Sequence, residues 1–260
     1  MPNPSASCPS YRPLGRVLVV LLVALILGGC ATGGGASGDD PLEGFNRGVY
    51  DFNEGLDTYA LEPASRSWTR VTTDGVRNSV DNFFTNLEAP GYVLNDLLQG
   101  KGVDAGRETV RFVVNSTVGL LGLFDPASAW LGLEGRAEDF GQTLGVWGVD
   151  SGPYLVLPLF GPSNARDATQ YPVAYYTNLL TYATLDTLTF GALTALNVVN
   201  TRARLAGAAR FRDDAAVDPY VFSRSAYGQY RRDRINDGEV SVEDDAYSDF
   251  FDDMEAEPAP

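Results

Sequence analysis

From Phe140 to Thr201 the chain reads FGQTLGVWGVDSGPYLVLPLFGPSNARDATQYPVAYYTNLLTYATLDTLTFGALTALNVVNT, and only Asp150, Arg166, Asp167 and Asp186 in it are charged, in a protein that is 20% charged overall. The second half decides the fold. From Val173 to Asn200 apolar residues recur at helical spacing on more than one face, with Tyr175, Tyr176, Leu179, Leu185, Leu188, Phe190, Leu193 and Leu196 among threonines. A helix that is apolar nearly all round sits either at the centre of a core or against lipid. The first half is punctuated by Gly141, Gly145, Gly148 and Gly152 and then by the proline-interrupted run Tyr154 to Pro162. One irregular hairpin is expected near Tyr154 to Phe160, followed by a helix capped by Ser163, starting at Asn164 and interrupted by Pro172.

Upstream, the pattern is helical throughout. Asp-Pro pairs at Asp40-Pro41, Asp125-Pro126 and Asp218-Pro219 combine a good N-cap with a residue whose missing N–H is harmless in a first turn. Behind the first, Phe45, Val49, Phe52, Leu56 and Tyr59 form a stripe expected to pack into a core. Arg66 to Phe84 continues as helix, Asn86 to Pro90 is expected to break it, and Tyr92 to Leu98 makes a short helix ended by Gly100. Val103 to Thr117 follows, with Val103, Val110, Val113, Val114 and Thr117 as its expected buried stripe. Arg107 and Arg111, four apart, share a face that could meet a phosphate or, more simply, neighbouring carboxylates. Val118 to Phe124 is apolar without alternation and too short to span a membrane. No internal repeat and no series of alternating strands appears, so the body reads as all-α, a single domain of amphipathic helices with one Gly/Pro-rich hairpin-like segment.

The ends carry a different message. Arg12 and Arg16 precede the apolar run Val17 to Leu27, which is shorter than the roughly 20 residues of a spanning helix and therefore reads as an export signal. It closes on Gly28-Gly29-Cys30, which resembles the bacterial lipobox, so Cys30 is the expected site of lipid attachment and the first residue of the mature chain. Acyl chains at about 0.8 kcal/mol per buried CH₂ would anchor it stably. The division that follows is 1–29 signal peptide, 30–39 flexible leash, 40–235 helical domain and 236–260 acidic, disordered tail, the last with ten acidic residues from Asp237 onward and no basic one. Cys8 falls in the signal, so no disulfide is expected in the mature chain. The sequence holds no histidine, which excludes Ser-His-Asp and Cys-His nucleophiles and His-ligated zinc. No cofactor or metal is indicated. A formal charge of -15 argues against nucleic acid as a partner.

Several segments together resemble one family. Asp40 to Arg47, Phe52-Asn53, Asn86 to Pro90, Leu98-Gln99-Gly100, Arg111-Phe112, Asn115 to Gly119, Phe140 to Gly145, Gly152 to Pro158, Thr201-Arg202-Ala203 and Asp218-Pro219-Tyr220 are similar to the MlaA family, also called VacJ, of outer-membrane phospholipid-transport lipoproteins. The resemblance runs from Asp40 to about Arg234. It implies a ring of helices embedded in the inner leaflet of the bacterial outer membrane, around an amphipathic channel. It further implies removal of mislocalised phospholipid from the outer leaflet and its passage to a soluble periplasmic phospholipid carrier, in association with trimeric porins. On that footing Val118 to Phe124, Tyr154 to Phe160 and Val173 to Leu196 are expected to face acyl chains, with Trp130, Trp147, Tyr175 and Tyr176 at the headgroup boundary. Gly145, Gly148 and Gly152 are candidate hinges, Leu155, Val156, Leu157, Leu159 and Phe160 a candidate channel-lining flap, and Arg166, with Arg107 and Arg111, a candidate headgroup contact. Two rival classes are weighed against transport. A lipase is disfavoured because Gly148 to Gly152 lacks the nucleophile-elbow spacing and any histidine. A structural, non-transporting envelope lipoprotein is the alternative.

Overall fold

The computed structural model describes Asp40–Gly238; the signal, Cys30, the leash and the tail beyond Gly238 lie outside the described residues. Contacts divide the chain after Phe45 into two units. In the short one, Asp40 accepts the Leu42 N–H at 3.0 Å ahead of helix α1 (Glu43–Leu56). The long one, from Asn46, holds everything else. A π-helical turn, Asp57–Leu61, joins α1 to α2 (Glu62–Val71). Then come α3 (Asp74–Leu98), α4 (Gly102–Thr117), α5 (Pro126–Leu131), α6 (Phe140–Val146), an antiparallel hairpin of β1 (Tyr154–Leu157) and β2 (Gly161–Asn164), α7 (Gln170–Thr177), α8 (Thr187–Arg204), α9 (Ala206–Ala215) and α10 (Pro219–Ile235). The protein is therefore mostly helical, as expected. Among the described residues no helix is long and apolar enough to cross a membrane.

Helix α3 is the hub, packing against α4, α6, α7 and α8. Its boundaries correct the sequence reading twice. The break falls at Thr72-Thr73, where Thr73 caps the Val76 N–H and Arg77 closes on the Thr72 carbonyl at 2.7 Å. The helix then runs through Pro90 without interruption. An internal proline costs about 3 kcal/mol, and tertiary packing outweighs it here. Ala89 and Gly91 are buried beside it, and a Cβ on Gly91 would stand 2.7 Å from the Thr177 hydroxyl of α7. Two further expectations fail for capping reasons. The Val173 to Asn200 region is not one helix: the side chains of Asn178 and Asp186 accept the Leu180, Leu188 and Thr189 N–H groups and restart the chain as a 3₁₀ turn (Leu179–Tyr182) and then α8. Ser163 caps no helix at Asn164, because it pairs with Leu155 in the hairpin, and Asn164 instead accepts the Asp167 N–H at 2.7 Å.

The main correction concerns which face points inward. On α4 the buried residues are Ala105, Glu108, Arg111 and Asn115, while Val103, Val110 and Val113 are exposed. On α1 Asn46 is buried and Phe52 is exposed, as is Tyr59 in the π-helical turn that follows. The periodicity was real and the assigned side was wrong. Over the described residues only Phe84, Ala89, Ala105, Pro126, Ala127, Val156 and Tyr220 are buried apolar side chains, against seventeen buried polar or charged ones. The interior is held by hydrogen bonds and ion pairs, and the outside carries the apolar stripes. Val118, Leu120, Leu121, Leu123 and Phe124 are all exposed, as are Trp130, Trp147, Tyr175, Tyr176 and Leu188. Leu120 and Leu121 are held at positive φ (54° and 60°), and Gly122 at 89° brings the turn against Asn86, where a Cβ would meet the Asn86 side chain at 2.4 Å.

Candidate functional site

A polar interior can use side-chain amides where an ordinary core uses methyl groups, and α1 does so against the hairpin. Asn46 and Asn53 are two helical turns apart and so share one face. Asn46 donates to the Tyr154 carbonyl at 3.0 Å and accepts the Val156 N–H at 2.9 Å. Asn53 repeats the pattern one step along, donating to the Leu157 carbonyl at 3.0 Å and accepting the Leu159 N–H at 2.9 Å. Each amide thus replaces a neighbouring strand. The free edge of β1 is satisfied without a third strand, and Val156 is fully buried between the two anchors. Past Leu157 the chain turns on Leu159 (φ 69°) and Gly161 (φ 78°) and leaves Leu159 and Phe160 exposed at the tip.

Those two side chains form one wall of a cavity of about 370 Å³. The rest of it is apolar from Leu56, Leu61, Leu205, Ala208 and Ala209, and charged from Glu54, Asp57, Arg202 and Arg212. Arg202 grips Asp57 with two bonds of 2.6 and 2.7 Å, and Arg212 grips Glu54 with 2.7 and 2.9 Å. The hydrogen bonds that Arg202 donates to Asp57 hold its guanidinium in the charged form, raising its pKa. Burial opposes the charge on Arg212, and the bonds to Glu54 and Asp213 outweigh it, so its pKa is raised as well. The site therefore offers apolar wall and fixed, hydrogen-bonded charge in one space. Sequence reasoning singled out neither arginine as a site residue, and quoted Arg202 only within the family segment Thr201-Arg202-Ala203. The signal was present: Glu54 and Asp57, three apart on one helical face, need cations opposite them.

The expected site residues do not all converge on this cavity. Leu159 and Phe160 line it; Leu155 and Leu157 lie half-buried on β1 away from its lining. Gly148 (φ 82°) and Gly152 (φ 64°) occupy left-handed positions that bracket the loop before β1. Gly145 serves a different end, since a Cβ there would lie 2.7 Å from Ile235 of α10. Arg107 and Arg111 share α4 while Arg166 follows β2, and each has carboxylate partners. Arg107 bonds Asp104 at 2.5 Å, Arg111 bonds Asp125 at 3.0 Å and closes on Glu108 and the Leu133 carbonyl, and Arg166 bonds Asp167 at 2.8 Å.

Behind the hairpin lies the tightest polar cluster. Arg231 of α10 bonds both oxygens of Asp139 at 2.6 and 3.0 Å and reaches Asp167 at 2.9 Å. Asp167 also accepts from Tyr227 and Asn164, both at 2.7 Å. Burial raises the Asp167 pKa, but its bonds from Arg166 and Tyr227 and the Arg231 charge win, and it is held below the ordinary carboxylate range. Asp96 of α3 is the opposite case. Burial, then the negative charges of Glu138, Asp104 and Glu108, push it up to about 7 against the pull of Lys101. A carboxyl raised in the fold contributes stability at low pH that is lost as pH climbs through its folded pKa. Asp96→Asn is accordingly expected to match the wild type near pH 3.5, below the unfolded carboxyl pKa, and exceed it by about 1–3 kcal/mol at pH 8.5, read from denaturant melts in detergent at the two pH values.

The profile of the MlaA lipoprotein family matches residues 38–234. The intermembrane phospholipid transport system lipoprotein MlaA of Escherichia coli is 34% identical over 236 residues, covering 88% of this chain and 92% of that protein. The Haemophilus influenzae protein of the same name is 32% identical, covering 86% and 92%. An uncharacterised protein of Rickettsia felis is 37% identical over 74% of this chain and 76% of its own length. A solved chain, from work on the structural basis for maintenance of bacterial outer membrane lipid asymmetry, superposes with a TM-score of 0.66 at 33% identity, covering 75% of this chain and 98% of that one. With this fold, this inverted polarity and these matches across nearly all of the described residues, the chain belongs to the MlaA lipoprotein family.

Proposed function

We propose that the protein is an outer-membrane lipoprotein that removes mislocalised phospholipids from the outer leaflet and passes them inward to a soluble periplasmic carrier, so maintaining lipid asymmetry. The observation that carries this reading is the inverted polarity. A body with exposed valine, leucine and phenylalanine stripes and a hydrogen-bonded interior suits surroundings that are themselves apolar. Since no described helix can cross a bilayer, it would lie as a ring within one leaflet, tethered through Cys30. The 370 Å³ cavity, part greasy and part lined by ion pairs, suits an amphiphile in transit. In this reading the hairpin tip is the channel's movable wall, trimeric porin flanks the ring, and the periplasmic carrier receives the lipid. Transport is favoured over catalysis because the chain has no histidine and the Ser151 hydroxyl has only Asp150 and the Gly152 carbonyl beside it.

The deciding experiment measures outer-leaflet phospholipid in cells that lack the protein. A rise reversed by the wild-type chain supports transport; an unchanged leaflet favours a structural lipoprotein. Replacing Gly148 and Gly152 by alanine probes the hinge. Both sit at positive φ, and at Gly152 a Cβ would also press Ala165 at 3.0 Å, so each change is expected to cost about 1 kcal/mol or more. Lipid transfer is expected to fall several-fold at normal protein level. Transfer at the wild-type rate in an equally abundant variant removes the hinge while leaving transport standing.

A further inference from the structure

A second cavity, of about 270 Å³, lies between α3, α6, α7 and α10. Two of the charges that line it lack a counterion. Arg234 makes no hydrogen bond or ion pair through its guanidinium with the described residues, and its Nε is wholly buried. Glu88 accepts one bond, from Tyr92 at 2.7 Å, and among the described residues has no arginine or lysine in ion-pair range. The other carboxylates of the wall are committed: Glu138 to Gln99, Gln142 and Lys101, Asp139 to Arg231.

We infer that this cavity receives a phosphoethanolamine headgroup, Arg234 taking the phosphate and Glu88 the primary ammonium. The inference rests on the phospholipid reading above and names the headgroup. Charge decides between ligands. Both side chains are half-buried, and a bare phosphate would satisfy Arg234 while leaving Glu88 unpaired and meeting the repulsion of Glu138 and Asp139. A bare amine would leave Arg234 unpaired. A zwitterion of this order neutralises both through charge-assisted hydrogen bonds. Size agrees, since 270 Å³ falls just below the roughly 300–1,000 Å³ of sites that enclose drug-sized ligands. It admits a headgroup and excludes two acyl chains, for which Phe140, Val173 and Ala174 provide an apolar margin.

The test uses the full-length lipoprotein in detergent, equilibrated with mixed micelles of equal phosphatidylethanolamine and phosphatidylglycerol, with bound lipid read by mass spectrometry. Wild type is expected to enrich the ethanolamine lipid about tenfold. Glu88→Gln keeps the Tyr92 contact and should bring the ratio close to one. Arg234→Gln should lower total bound lipid several-fold, with Arg234→Lys restoring most of it. Soluble O-phosphoethanolamine should compete at least tenfold better than inorganic phosphate; equal competition means a free-phosphate site and overturns the proposal. An unchanged lipid ratio in Glu88→Gln and unchanged loading in Arg234→Gln overturn this site alone, since lipid is still carried. Wild-type protein that carries no lipid overturns the phospholipid reading along with it.

Discussion

Arg231→Met is expected to lose about 3–5 kcal/mol of folding stability, because it removes one partner of a buried ionic cluster and leaves its carboxylates behind. Arg231 is nearly buried and ties α10 to Asp139, at the start of α6, and to Asp167, beyond β2. Methionine fills much of the same space, so the loss isolates charge from packing. Arginine's fork is what matters: lysine can satisfy only part of the arrangement, so Arg231→Lys should fall between the two. The pH dependence supplies a second readout. Asp167 is held low in the fold, so its contribution is present above the unfolded carboxylate pKa and is lost as pH falls through the folded one. The gap between wild type and Arg231→Met should therefore be widest at pH 7 and narrow toward pH 3. A gap that stays constant across that range would show that the cluster's charge contributes little.

The second large effect is expected where α1 meets the hairpin. Asn46→Ala with Asn53→Ala deletes four bonds of 2.9 to 3.0 Å to Tyr154, Val156, Leu157 and Leu159. It strands two backbone N–H groups and two carbonyls, one of them at the fully buried Val156. At about 1–3 kcal/mol for the buried Val156 N–H left unpaired and about 0.5–1.5 kcal/mol for each of the three less buried bonds, roughly 3–6 kcal/mol of attachment is lost. Amide exchange at Val156 and Leu159 should accelerate at least 100-fold while helical content is retained. If the hairpin is the movable wall of a lipid path, cells carrying the double variant should accumulate outer-leaflet phospholipid. A freed hairpin in cells with normal leaflet composition would separate the hairpin from the path.

Helices were legible in this chain and their orientation was not. The stripe Val103, Val110, Val113 fixes a face by its period, but period carries no information about which solvent that face meets. The ordinary presumption of water outside turned the stripe inward. The residues that do go inward, Glu108, Arg111 and Asn115, look like an ordinary solvated face until their partners Asp125, Arg136 and Ala127 are brought beside them by the chain's return. Pro90 misled for a related reason: local propensity reported a break, and contacts with α4, α7 and α8 set the outcome. Asn46 and Asn53 were visible only as letters in a family pattern. Nothing local marks an asparagine that will bond a strand about a hundred residues away. The glycines at 148 and 152 do sit at positive φ, which is a local demand that a glycine-rich stretch can signal; their part as hinges is the proposal above.

Placing amides and ion pairs inside and aliphatic surface outside also sets how this protein responds to temperature. In an ordinary domain, unfolding wets apolar surface, which raises heat capacity by about 0.45 cal/K/mol per Å², against a drop of about 0.26 per Å² of polar surface exposed. Here the interior to be wetted is mainly Asn, Gln, Asp, Glu and Arg, and the apolar stripes are already outside. The two contributions come closer to cancelling, so enthalpy and entropy of unfolding drift little with temperature. Stability then follows a shallow line in place of a dome, with the weakening on cooling that hydrophobic cores suffer largely absent.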